Sequence, residues 1–133
     1  MLNELSQYAK SITHVPEGFT PEEAVEEHRR REYIRYFAAI MRPDGRTIFV
    51  RNGHTNTLAA IYGNGDMSRA WADMPIDAHP MGWLVEKTGC IVIDYNGVIM
   101  PENTTADQFA ALELYRRSGM IGKGAEYGKV GLS

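Results

Sequence analysis

Cysteine is almost missing from this chain. Cys90 stands alone among 133 residues, so no internal disulfide can form, and a reducing cytoplasm is the expected setting. Long apolar runs are missing as well: none approaches the roughly 18 residues that a membrane span needs. The opening MLNELSQYAK has neither a basic nor an apolar signal region, and no secretory leader is expected. Excess positive charge is also lacking. With 14 Lys and Arg against 17 Asp and Glu, the net charge is −3, which argues against bulk attraction to nucleic acid, because neutralising phosphates takes a basic surface.

The familiar catalytic signatures are absent too. There is no HExxH, no cysteine pair and no EF-hand spacing, so no metal motif stands out. Gly122-Lys123-Gly124 lacks the GK[ST] ending of a phosphate loop. Ser6, Ser11, Ser68, Ser118 and Ser133 lie outside the glycine elbows that expose nucleophilic serines. Cys90 sits in an apolar run with nothing nearby to lower its pKa, and is expected to be a buried, inert thiol.

What is present is ordinary for a globular domain: 44% apolar and 23% charged residues. The segment from Gly82 to Gly119 is the most explicit. CIVIDY (Cys90–Tyr95) is mostly β-branched or aromatic, Asn96-Gly97 favours a type I′ turn, and Val98-Ile99-Met100 returns. Pro101 ends the pairing. Thr105-Ala106-Asp107-Gln108 is a capping box for the helix that follows, with Gly119 placed to cap its end. Phe109, Leu112 and Tyr115 form a stripe expected to face the core. Upstream, Leu2–Ile12 has helical spacing, and Thr20-Pro21-Glu22-Glu23 is a strong helix start.

Tyr33–Met41 reads as either helix or strand. Arg42-Pro43-Asp44-Gly45 favours the strand, because Pro-Asp-Gly suits a turn closed by a glycine bulge, and Arg46–Arg51 follows as a second strand. Short helices are expected over Thr55–Tyr62, Met67–Asp73 and Met81–Thr88, with a loop at Met74–Pro80. The expected fold is α+β: two antiparallel β-hairpins, about four strands, packed with four to six short helices. Residues 1–118 form the domain. Residues 119–133, rich in glycine, form a tail expected to flex or to order only against a partner.

Three groups of residues are candidates for function. His54 opens a helix after a strand, with Arg51 just before it, where loops often carry function. Its bland alternative is a helix-entry residue bonded to the backbone. Asp73, Asp77 and His79 form the densest carboxylate–imidazole group, and His54, Asp77 and His79 could make a metal-assisted hydrolase. Arg29, Arg30 and Arg31 could contact phosphate, although Glu26 and Glu27 are spaced four residues ahead for intrahelical ion pairs. A nucleotide binder would add Tyr62 or Trp71 for stacking on a base. Trp71 and Trp83 otherwise read as core anchors, becoming interface candidates if exposed.

Pro43-Asp44-Gly45, His54, Thr88-Gly89-Cys90-Ile91 and Thr105-Ala106-Asp107-Gln108 followed by Leu112 occur here in one order. In that order the chain resembles small modules of the polyvalent proteins carried by phages and mobile elements, over about Arg31 to Ser118. Asp66–His79 has no counterpart in those modules. The resemblance implies a viral or mobile-element origin and carries over no catalytic residue. The expected function is therefore a phage-type accessory protein of the host cytoplasm, non-enzymatic and without cofactor, that occupies the surface of a host defence or regulatory protein. A basic, nucleic-acid-binding protein is the first partner class, because acidic surfaces complement basic ones. A homo-oligomer is compatible with this expectation.

Overall fold

The computed structural model describes residues 15–31, 37–50 and 53–129. The expected helix at Leu2–Ile12, the first part of Tyr33–Met41 and the candidate Arg51 lie wholly or partly outside them. Among the described residues five helices occur: α1 (Pro21–Arg30), α2 (His54–Tyr62), α3 (Met67–Asp73), α4 (Pro80–Thr88) and α5 (Ala106–Ser118). Five strands accompany them: β1 (Ala38–Met41), β2 (Thr47–Phe49), β3 (Ile91–Asp94), β4 (Gly97–Met100) and β5 (Glu126–Lys129).

The class is α+β, but the strands do not form two separate hairpins. They join in one mixed sheet, ordered β2-β1-β3-β4-β5. β1 pairs antiparallel with both β2 and β3, β3 with β4, and β5 runs parallel to β4. Residues Ala38–Met41 are strand, so the turn at Pro43–Gly45 does fold one strand onto another. Gly45 takes φ +89° and donates its amide to the Arg42 carbonyl at 2.8 Å, while Asp44 accepts from the Arg46 amide at 3.0 Å. Only glycine adopts that φ without strain.

The second turn differs from expectation. Asp94 pairs directly with Gly97, so Tyr95 and Asn96 are the loop residues, and neither takes a positive φ. A type I′ turn on Asn96-Gly97 is therefore not formed. The Asp94 carboxylate instead accepts the Asn96 amide at 2.8 Å, an Asx-type closure. This arrangement offers the Tyr95 and Asn96 carbonyls to the amides of Gly122 and Glu126, at 2.9 and 3.0 Å.

Those two bonds seat the glycine-rich segment, for which the sequence suggests flexibility or order only against a partner, on the domain itself. Gly119 caps α5 at φ +83°, Met120 and Ile121 turn into the core at 1% exposure each, and β5 follows. A short apolar pair between two glycines was the available sign that the domain continues past residue 118.

Helices cover both faces of the sheet. On one face α1 and α5 pack Val25, Ala111, Leu112 and Tyr115 against Met41, Ile91, Ile93, Val98 and Met100. On the other, α2, α3 and α4 pack Leu58, Ala59, Ala70, Leu84 and Val85 against Ile40 and Val92. Burial on both sides explains why β3 reads as an unbroken apolar run rather than alternating. Both capping boxes form: Thr20 with Glu23, and Thr105 with Gln108. No helix among the described residues is long and apolar enough to cross a membrane.

Candidate functional site

The candidates read from sequence do not converge. His54 is half-buried, with Nε2 3.3 Å from the Ile93 carbonyl. A carbonyl only accepts, so Nε2 is the donor in this bond and any acceptor role falls to Nδ1. His79 caps α4, its Nδ1 accepting the Gly82 amide at 3.3 Å, and Asp77 lies exposed in the preceding loop. Among the described residues, no three His, Cys, Asp or Glu side chains are grouped to hold a metal ion.

Arg29 and Arg30 are exposed in the last turn of α1, where cations suit the helix dipole. Arg31 is occupied: its Nε donates to Glu27 at 2.8 Å and its guanidinium lies 4.9 Å from the Phe49 ring centre. Tyr62 donates to Asp73 at 3.3 Å and meets Trp83 edge-on at 5.0 Å. Trp71 is 38% exposed, so it is no core anchor, and no ring contact joins it to Tyr62. Cys90 is fully buried, and that burial pushes its thiol pKa up, which leaves little thiolate to react.

The surface that does stand out was not among those candidates. Between α5 and the β4–β5 edge lies a groove of about 210 Å³, lined by Met100, Phe109, Leu112, Glu113, Arg116 and Tyr127. Met100 of β4 and Leu112 of α5 give it apolar lining, and its two aromatic residues remain 52% (Phe109) and 44% (Tyr127) exposed. Phe109 was expected in the core stripe. In the structure α5 buries Gln108, Ala111, Leu112 and Tyr115, so the stripe's centre passes one side of Phe109 and leaves it at the rim. A three-residue spacing fixes a stripe but not which flank stays wet.

The polar rim is already paired. Arg116 holds Glu113 at 2.6 Å, with Nε at 3.2 Å. The hydrogen bond from Arg116 holds the Glu113 carboxyl below its ordinary range, and the same bond raises Arg116. Both stay charged at neutral pH.

In comparisons with known proteins, no family model, no curated protein and no solved structure matches the chain. The groove must therefore be read from its own chemistry. It presents apolar surface framed by a closed ion pair, with no nucleophile and no free acid or base among its lining residues. Such a lining favours capture of an apolar side chain, because excluding water from Phe109 and Tyr127 is favourable in proportion to the area covered.

Proposed function

We propose that the chain acts by binding another protein through the α5–β5 groove, without catalysing a reaction. The supporting observation is that two half-exposed aromatic residues, Phe109 and Tyr127, line one groove together with the apolar side chains of Met100 and Leu112. Large aromatic side chains at the centre of an interface carry a disproportionate share of binding energy. The resemblance to modules of phage and mobile-element proteins directs the search to a host defence or regulatory protein. The net charge of −3 makes a basic partner the first to try.

The test compares immobilised wild-type protein with Phe109→Arg in lysate of the natural host. Because Phe109 is half-exposed at the rim, the variant should keep its circular dichroism spectrum. One stoichiometric protein held by the wild type at several salt concentrations, and held at least about tenfold less by the variant, is the expected result. Equal retention by both, or no retained protein at any salt, overturns the proposal.

A further inference from the structure

The two edges of the sheet are treated differently. Beyond β2, Phe19 exchanges both backbone hydrogen bonds with Thr47, each 2.8 Å, and so closes part of that edge. Beyond β5 no strand lies among the described residues, and all four β5 residues are exposed. The Glu126 amide donates to Asn96, and backbone direction alternates along a strand, so Glu126 and Gly128 turn their polar groups toward β4. Tyr127 and Lys129 turn theirs away from the protein. Among the described residues these donors and acceptors have no partner, and they lie beside apolar surface, the usual template for strand addition.

We propose that a second copy of this chain fills this edge, its β5 lying antiparallel to the first across a twofold axis. That axis stands perpendicular to the sheet, so the α5 faces of both copies lie on the same side. Only residues on one face can then oppose each other. In the register that uses every outward backbone group of both strands, Tyr127 of each copy faces Lys129 of the other, and Gly128 faces Gly128 on the axis. The axial pair is not hydrogen-bonded and comes closest, with about 4.5 Å between Cα atoms, where the lack of a side chain removes any clash.

The strand complements itself in charge as well as in shape. A lysine on an edge ordinarily repels incoming strands. Here each Lys129 ammonium arrives beside a tyrosine ring, a favourable cation–π geometry. An unrelated strand would meet Lys129 without supplying that match. This inference rests on the groove reading in one respect: the second copy's Lys129 closes the open side of the groove and becomes part of its wall.

Sedimentation velocity across the micromolar range tests the seam. The expected species has twice the 14.9 kDa chain mass and dissociates on dilution. Lys129→Pro removes an outward amide while leaving the β4 ladder, which draws on Glu126 and Gly128. It should give a monomer with an unchanged circular dichroism spectrum and the thermal midpoint of diluted, monomeric wild type, since association itself raises the midpoint by mass action. Lys129→Gln should weaken association about threefold, by removing the cation from the Tyr127 ring of the other copy. A wild-type monomer at every concentration, or a dimer indifferent to both substitutions, overturns the inference. A monomer that still retains a host protein in a Phe109-dependent way sinks the seam and leaves the proposed function standing. A dimer that retains none does the reverse.

Discussion

Tyr115 and Thr47 share a hydroxyl–hydroxyl hydrogen bond of 2.7 Å with both side chains fully buried. It joins the last turn of α5 to β2, and the Phe37 ring packs edge-on against Tyr115 at 6.0 Å. Burial, only partly offset by the bond to Thr47, pushes the Tyr115 pKa from about 10 up to about 12. The folded state thus holds a proton that the unfolded chain releases earlier. The resulting stability is fully present below pH 10 and is lost as pH rises through about 12. Tyr115→Phe should cost about 1–2 kcal/mol at neutral pH, by leaving the Thr47 hydroxyl short of a partner. It should also flatten the decline between pH 10 and 12, as read from urea midpoints. A variant curve parallel to the wild type across that range would contradict this assignment.

At the scale of elements, two side chains and one glycine hold separate pieces together. Thr105 both caps α5 and donates to the Pro43 carbonyl at 2.6 Å, tying the first hairpin turn to a helix start. Gln108 accepts the Thr105 amide and donates to the Gly89 carbonyl at 2.8 Å, so the capping box also clasps the end of α4. Gln108→Leu should therefore cost about 2 kcal/mol in denaturant unfolding, more than a lost cap alone, because the partly buried Gly89 carbonyl loses its donor as well. Gly122 carries the docking of β5. A Cβ there would come within 2.9 Å of both the Tyr95 ring and its carbonyl oxygen, and a backbone atom cannot swing aside. Gly122→Ala should speed amide exchange at Glu126 and Gly128 severalfold while β1 and β3 keep their protection. Uniform acceleration through the sheet would show instead that β5 unfolds only with the whole domain.

Across the molecule, what could be read from residues alone is what local chemistry decides. The caps at Thr20, Thr105, Gly89 and Gly119 and the bulged turn at Gly45 depend on side chains within a few positions, and each forms where its residues stand. β5 was not legible. Its residues, Glu-Tyr-Gly-Lys, have little intrinsic preference for a strand, and its seating comes from carbonyls that lie 27 and 30 positions earlier in the chain. The groove escaped notice for the same reason, since Tyr127 reaches Phe109 and Met100 only after that distant pairing. His54 and the arginines looked functional because polar residues near loops often are, yet contacts with backbone or neighbouring side chains account for His54 and Arg31. The parallel arrangement of β4 and β5 has a kinetic consequence. Strands that run the same way cannot be joined by a tight turn, so pairing β5 with β4 means closing a loop that contains all of α5, slower than closing either hairpin. During that interval β4 is briefly a bare rim with Ile99 beside it, and whichever strand reaches it first, from the same molecule or from a neighbour, decides between folding and entanglement.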